Sequence, residues 1–565
     1  MIDTGSTGTG APHNVAPRSH VFETVASAEL TVTKRLPAPL RRNGGLRALG
    51  ARHRVPLLAT VPVLPLYALW WFLLATGGGD LAAQYAWADF VARHGGSAYN
   101  LSWYGGTHTA NYSLLSPYLM AALGVRTVTA GSGIAASWLA AVLIRRTGTR
   151  RPVWPALLAS LGLWCNVVSG RTTFALGVAL GLAACLLLTG ERRVALAAAY
   201  AALATAASPV AGLFLAVVGA GFLAARDGRR ALSLLLPPAA VVAATTWLFP
   251  FAGEQPMPAA RVWPPLLLGL AVAVFAPRGR RVARWSGAVY AAGTVLTYLV
   301  PSPVGTNVER FAEHFAPAVL LAALLARPRL AGVRRGLLVG VLVFSVGWLG
   351  KKTVDDVAVY TVVPEWAGNT GGVVRALERL GADRTRVEVV PARDHREAAL
   401  LAPHVNLARG WNRQLDVERG RLFYDGAFSP AAYRAWLDRW AVGLVVLPQA
   451  RPDGYAEAEA RLLREERPGW LEPVWRDAHW RIYRVRDAVP LVSAPGTVVR
   501  ADGAGIVVRV SRPATVTVRV AYSPWLRADG GCLGRDGEFT RLTADAPGTY
   551  RISSEYGPAP ARGRC

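Results

Sequence analysis

Eleven apolar runs follow one another along the first two thirds of the chain, near residues 55–75, 127–144, 153–169, 172–189, 194–208, 209–225, 231–251, 263–276, 285–301, 313–326 and 336–350. Each predicts a helix. Several fall short of the roughly 20 residues an upright membrane helix needs, which leaves their bounds loose by a few residues. Pro209, Pro237, Pro238, Pro264, Pro265 and Pro317 lie in or beside these runs and predict breaks or kinks, which membrane helices tolerate when neighbours satisfy the freed carbonyls. From about residue 353 the pattern changes to short alternating runs. Residues 371–380 and 430–441 have helical spacing, and each precedes a strand-like run, VEVV or VGLVVL, which predicts a small α/β domain. WRIYRV at 480–485 is followed by TVVRADGAGIVVRVS, TVTVRVAYS and TYRISS, alternating strands that predict an all-β module.

Composition agrees with a polytopic membrane protein: 565 residues, 52% hydrophobic, 17% charged and a mean hydropathy of +0.27. The net charge of +26 lies mostly in arginine clusters between apolar runs, with no basic stripe interleaved with aromatics, so nucleic-acid binding is excluded. Those clusters, Arg52/Arg54, Arg145/Arg146/Arg150/Arg151, Arg192/Arg193, Arg226/Arg229/Arg230, Arg278/Arg280/Arg281/Arg284 and Arg327/Arg329/Arg334/Arg335, recur at every second loop. The positive-inside rule puts all six in the cytoplasm, with the N-terminus inside and everything after residue 351 outside. Lys351 and Lys352 run against the rule.

The expected organisation is a disordered cytoplasmic tail over 1–50, a transmembrane domain over 51–352 with a long outer loop at 76–126, an exported α/β domain over 353–487 and a β-rich module over 488–565. The first span is expected to remain as a signal anchor, since no secretory cleavage pattern precedes it. Cys532 and Cys565 both fall in the exported part, where a bridge between them would tie the terminal β segment shut; Cys165 and Cys185 lie in spans as packing residues. No CxxC, HExxH or Ser/His/Asp signature is present, and no metal or cofactor is expected.

Candidate chemistry concentrates in the outer loops. GGDLAAQYAWADF places Asp80 where the first apolar run leaves the membrane, with Gln84 one turn on along the same helical face. Asp80 is a candidate general base with Gln84 as its orienter; its alternative role is to cap the loop helix. SWYGGTHTANYS mixes aromatic, amide and imidazole groups around a glycine pair, as sugar sites do, and supplies Trp103, Tyr104, His108, Asn111 and Tyr112; anchoring at the membrane interface is the alternative. PSPVGTNVERFAEHF brings Asn307, Glu309, Arg310, Glu313 and His314 to the start of a span. Arg310 there and Arg171 in the NVVSGRTTF turn are candidate clamps for a lipid phosphate, against an alternative in which Arg310 pairs with Glu309 or Glu313. In ARGWNRQLD, Trp411, Arg413 and Gln414 would line an acceptor groove or pack onto the membrane domain.

GGDLAAQY, WYGGTHTANYSLLSP, GTNVERF, LARGWNRQLD and LFYDG resemble the C-type (GT-C) glycosyltransferases, within them a bacterial envelope group related to arabinosyl and mannosyl transferases. The resemblance implies a plasma-membrane enzyme that inverts configuration as it moves a sugar from a polyprenyl-phosphate donor to an envelope glycan or glycolipid on the outer face. Asp80 would match the family's loop carboxylate, although many members carry a paired acidic motif and this chain has a single Asp. The competing classes are a multi-span transporter, disfavoured by spans nearly free of ionisable residues, and a scaffold with a glycan-binding exported domain.

Overall fold

The computed structural model describes residues 53–190, 192–327 and 332–557; the expected 1–50 tail and Cys565 of the expected bridge lie outside them. Every one of the eleven apolar runs is a helix: α1 His53–Leu74, then, after α2 Asp80–His94 and α3 Ser116–Leu123 in the long loop, α4 Val125–Arg146, α5 Val153–Val168, α6 Thr172–Leu187, α7 Val194–Ala207, α8 Pro209–Ala224, α9 Gly228–Leu248, α10 Trp263–Phe275, α11 Arg281–Leu299, α12 Glu309–Ala326 and α13 Gly332–Tyr360. By length and composition α1, α4, α9 and α13 suffice to cross a membrane. The outward faces of α1, α9 and α13 expose large apolar side chains, Phe72, Leu236, Trp247 and Val343 among them, a surface that water does not favour and lipid does.

Two sequence expectations change here. Pro209, Pro264 and Pro265 do not break spans but sit in the first turns of α8 and α10, where the missing N–H costs nothing; Pro237, Pro238 and Pro317 are the ones inside helices. The last helix also runs past residue 350 to Tyr360, so the expected boundary at 352/353 falls inside it. The charged residues there support rather than stop the helix, with Lys351 and Asp355 paired at 2.6 Å one turn apart.

The connections between helices gather in two groups. Arg280 donates to the Thr147 carbonyl, Arg146 to Thr189 at 3.1 Å and Arg327 to the Ala276 carbonyl at 2.9 Å, which collects arginine-rich loops together. Asp80, Arg171, Arg261, Arg310 and Lys352 meet in the other group.

The chain then forms α14 Gly371–Arg379, β1 Arg386–Val389, α15 Arg413–Arg419, α16 Pro430–Arg439, β2 Val442–Pro448, β3 Leu471–Arg476 and β4 Trp480–Val485. The sheet order is β1-β2-β4-β3, with β1 and β2 parallel and the other pairs antiparallel. β2 is central and buried on both faces, which explains its unbroken apolar run: Leu444 and Val446 pack with Val373 and Leu377, Val445 and Leu447 with Tyr433 and Leu437. A sandwich follows, made of β5 Gly496–Ala501, β6 Ile506–Val510, β7 Ala514–Ala521, β8 Leu526–Asp529, β9 Cys532–Asp536, β10 Phe539–Ala544 and β11 Gly548–Ser554, in sheets β8-β11-β6-β5 and β9-β10-β7. Its period of two turns Val508, Val510, Val516, Val518, Val520, Leu542 and Ile552 inward.

Inside the α/β domain Arg409 lies between two fully buried carboxylates, Glu388 and Glu459, with Tyr433 Oη donating to Glu459 at 2.7 Å and the Phe423 ring 4.0 Å from the guanidinium. Removing the only cation of such a group strands buried negative charge, which costs about 3–5 kcal/mol. Arg409→Met is therefore expected to lower the unfolding temperature of the nanodisc-embedded chain sharply, whereas Arg384→Gln, in an exposed pair with Asp383, is expected to leave it almost unmoved. Tryptophan fluorescence during a thermal ramp reads both.

Candidate functional site

Asp80 is the first residue of α2. Gly79, at a φ of 63°, is the N-cap, so the expectation that Asp80 itself caps this helix does not hold. The position still favours a carboxylate, because the unpaired N–H groups of the first turn give that helix end positive character. The Asp80 side chain retains a third of its exposure and faces two guanidinium groups: Arg171 Nε at 3.7 Å and Arg310 Nη2 at 3.6 Å. These are ion pairs too long to be hydrogen bonds. Three residues singled out in three separate loops thus come together.

Behind them the charges continue. Arg171 also reaches Glu313 at 3.4 Å and Asp356 at 3.8 Å, and Asp356 accepts from Ser169 at 2.6 Å. Lys352 joins Glu309 at 2.8 Å and Glu313 at 2.7 Å, while Arg261 grips Glu309 with two bonds of 2.6 and 2.8 Å. Arg171, Arg261, Arg310 and Lys352 therefore face Asp80, Glu309, Glu313 and Asp356, four charges against four. The alternative pairing of Arg310 with Glu309 or Glu313 is not adopted; those carboxylates go to Arg261, Lys352 and Arg171, leaving Arg310 to Asp80 and to the Phe174 ring 5.6 Å away. Glu309, expected to bind substrate, is 1% exposed and fully engaged, so it serves the network instead. Asn307 is buried in the one-turn helix Gly305–Val308 that leads into α12.

Gln84 sits one turn beyond Asp80 but is buried, and its Oε1 has no hydrogen-bond partner among the described residues; as placed, it does not orient Asp80. The aromatic stretch of the long loop is also turned inward. Trp103 and Tyr104 are closed off from solvent in the α/β-domain core, Trp103 Nε1 donating to the Ala398 carbonyl at 3.2 Å and Tyr104 Oη exchanging hydrogen bonds with the Asn412 backbone. Their rings fasten the loop rather than offer a stacking face. His108 bonds Ser523 at 3.0 Å and Tyr112 stacks on Trp87 at 5.8 Å. Burial, helped by Arg419, pushes the His108 imidazole down to about 4, so it is neutral at physiological pH. Trp87, Trp103, His108, Asn111 and Tyr112 surround a cavity of about 20 Å³, room for a water and too small for a sugar ring.

Gln414 donates to the Pro303 carbonyl at 3.1 Å, so ARGWNRQLD packs onto the membrane domain. Arg413 makes a two-pronged bond to Asp453 at 2.8 and 3.0 Å, and Trp411 stacks on His395 at 3.4 Å. His395 lies 3.4 Å from Asp453 through Nε2 and 3.7 Å from Glu397 through Nδ1. Burial opposes its charge, but the two carboxylates outweigh burial and push the imidazole up to about 9. His395 and Arg413 in turn hold Asp453 well below the usual carboxylate range against the pull of its own burial. Sequence reasoning passed over His395, Asp453, Asp356 and Lys352. The one available signal was the Lys351/Lys352 pair against the positive-inside pattern. Among the described residues no group of three or more His, Cys, Asp or Glu side chains is arranged to hold a metal ion.

Because the folded state raises the His395 pKa above its ordinary 6.5, the stabilisation by its cation is complete below about pH 6.5 and is lost as pH rises through about 9. The unfolding temperature of the intact chain is expected to fall across that window, and His395→Gln to flatten the fall. An equal slope in both proteins would remove His395 as its source.

Comparison with known proteins adds little sequence likeness. A family model described as Domain of unknown function (DUF8823) matches residues 493–531, within the β-sandwich. No curated protein matches. Two cryo-EM structures of arabinofuranosyltransferase AftD from Mycobacteria, one of them a mutant, are similar to 92% of this chain at 12% and 13% identity, each with a TM-score of 0.39. The match covers 60% and 57% of those chains, so this chain spans somewhat over half the length of the arabinofuranosyltransferases it is similar to.

Proposed function

We propose that this chain is a glycosyltransferase of the C type that moves a sugar from a polyprenyl-phosphate donor to an envelope glycan or glycolipid on the outer face of a bacterial plasma membrane. The observation that carries this reading is the meeting of Asp80, partly open to solvent, with Arg171 and Arg310 at 3.7 and 3.6 Å. Asp80 takes the proton of an acceptor hydroxyl. The hydroxyl oxygen attacks the anomeric carbon from the face opposite the phosphate, the bond from that carbon to the phosphate oxygen breaks, and the configuration inverts. The leaving polyprenyl phosphate gains negative charge, which the two guanidinium groups stabilise as it forms.

A cavity of about 950 Å³ supports a lipid-borne donor. It is apolar, bounded by Phe214, Leu268, Phe311, Phe315, Val319 and Ala323, and it follows α12 from the residue after Arg310 to Arg280 and Arg281 near the other group of loops. A headgroup at Arg310 would leave its hydrocarbon tail along that groove. The arginine-rich loops belong in the cytoplasm by the positive-inside rule, which places Asp80 and the C-terminal domain outside. The cluster of Arg171, Arg261, Arg310 and Lys352 with Asp80, Glu309, Glu313 and Asp356 lies at the end of the bundle away from the arginine-rich loops and balances its own charge, an arrangement that favours a transferase over a carrier with a midplane site.

The test is turnover of a panel of radiolabelled polyprenyl-phosphate pentoses and hexoses by the nanodisc-embedded protein with envelope extract as acceptor. Asp80→Asn is expected to fold and to lose about 10²- to 10⁴-fold in kcat, the usual worth of a general base. Loss of one guanidinium–phosphate contact in Arg310→Gln is expected to remove about 1.5–3 kcal/mol of transition-state stabilisation, read as kcat/KM. No turnover by wild type, together with an unchanged envelope when the protein is deleted, would point instead to a scaffold or carrier.

A further inference from the structure

Asp80 follows three glycines, Gly77 to Gly79, a backbone with no side chains of its own to hold it in place. Arg126 fixes the start of that loop by donating to the Ala75 carbonyl at 2.8 Å, and the C-terminal domain supplies the next contacts. The Gly79 N–H donates to the Asp394 carbonyl at 2.7 Å. Arg396, 4% exposed, spreads its guanidinium across the loop: Nη1 donates to the Thr76 carbonyl, Nη2 to Thr76 Oγ1 at 2.8 Å and to the Tyr360 carbonyl at 2.7 Å, and Nε to Asp394 at 2.8 Å. Thr76 Oγ1 donates to the same Tyr360 carbonyl at 3.0 Å.

The fit leaves no slack. A Cβ on Gly78 would stand 2.6 Å from the Tyr360 oxygen and 2.9 Å from Arg396 Nη2, and one on Gly79 would stand 2.6 Å from the Tyr360 ring. On the far side the Gly170 turn, which carries Arg171 on its next residue, lies against Leu81, where a Cβ would come within 2.6 Å. The end of α13, the Gly170 turn and Arg396 thus bracket Asp80 from three directions, and only Arg396 belongs to the C-terminal domain's own fold. An ammonium at this place would supply a single point of donors, whereas the planar fork reaches the loop, the end of α13 and Asp394 together.

We infer that Arg396 is a positioning residue: it holds the glycine loop so that the Asp80 carboxylate stays in register with Arg171 and Arg310, and it thereby makes the C-terminal domain part of the reacting site. The inference rests on the transferase reading for its kinetic consequence, but the clamp itself has a readout that does not. A displacement of about 1 Å in a reacting group costs on the order of 10²-fold in rate, which makes such a clamp consequential without any contact to substrate.

The experiment compares full-length wild type, Arg396→Gln, Arg396→Lys and, as a control remote from the loop, Arg434→Gln in nanodiscs. Amide hydrogen exchange is followed at Gly79 and through the 76–84 segment, and steady-state kinetics are measured with the polyprenyl-phosphate sugar that wild type turns over fastest. Arg396→Gln is expected to speed exchange at Gly79 about tenfold or more and to lower kcat by about 10- to 100-fold with donor KM within about threefold, with Arg396→Lys between it and wild type and Arg434→Gln unchanged. A residue that merely stabilises the fold would lower the unfolding temperature and leave kcat per folded molecule intact, and that result would overturn the inference. So would unchanged exchange at Gly79. Absence of turnover by wild type would sink the transferase reading separately, while the exchange result would still decide whether Arg396 fixes the loop.

Discussion

A charge placed against an apolar helix bundle must find an opposite charge or leave, and this constraint organises the end of the bundle where α2 begins. Transfer of an isolated ion out of water costs several kcal/mol even after relaxation, so Arg171, Arg261, Arg310 and Lys352 are held only because Asp80, Glu309, Glu313 and Asp356 stand among them. Within the cluster the bonds are unequal. Glu309 and Glu313 are gripped at hydrogen-bonding distance and buried, whereas Asp80 is held only by pairs longer than 3.5 Å and keeps part of its surface open. The cluster therefore has a rigid floor and one carboxylate that is free to engage something else, with two guanidinium groups beside it.

The long loop is built into the domains beside it. Tyr99 and Leu101 enter the sandwich core, Trp103 and Tyr104 enter the core of the α/β domain, and the Leu101 and Ala521 amides donate to Gly503 and Gly105 carbonyls at 2.7 and 2.9 Å. Arg419 adds bonds to the Tyr104 and Gly106 carbonyls. Aromatic rings that would stack on a sugar if exposed instead spend their area inside, where burying a large ring contributes more than leaving it in water. The loop, the α/β domain and the sandwich consequently form a shared structure over the charged cluster.

Much of the architecture was legible from local pattern. The eleven apolar runs all became helices, and the helix before VEVV and the helix before VGLVVL appear as Gly371–Arg379 and Pro430–Arg439. The alternating segments after residue 495 became sandwich strands. Among the site residues, Asp80, Arg171 and Arg310 were visible because a charge beside an apolar run is conspicuous. Glu309, Trp103, Tyr104 and Arg413 were also conspicuous, but their neighbours were not: Arg261 and Lys352, the Ala398 and Asn412 backbones, and Asp453 lie far away in the chain and engage them completely.

The sequence by itself determined the eleven apolar helices, the two helix–strand pairs of the α/β domain and the alternating strands at 480–485, 496–521 and 548–554, since periodicity and apolar length act over a few residues, and its arginine pattern set alternate loops apart; the helix Ser116–Leu123 and the strands Leu471–Arg476, Leu526–Asp529, Cys532–Asp536 and Phe539–Ala544 carry no local pattern strong enough to stand out. It also marked the end of the last helix poorly, because Lys351 and Lys352 look like a terminus when read alone and become interior once Asp355, Glu309 and Glu313 are beside them. Only the tertiary structure decided which carboxylate met which cation, which aromatic rings were spent on packing, and that the loop carrying Asp80 is held by Arg396. Those outcomes depend on distances between residues up to 320 positions apart in the chain, and such distances are set by how helices and domains pack, which no local pattern encodes.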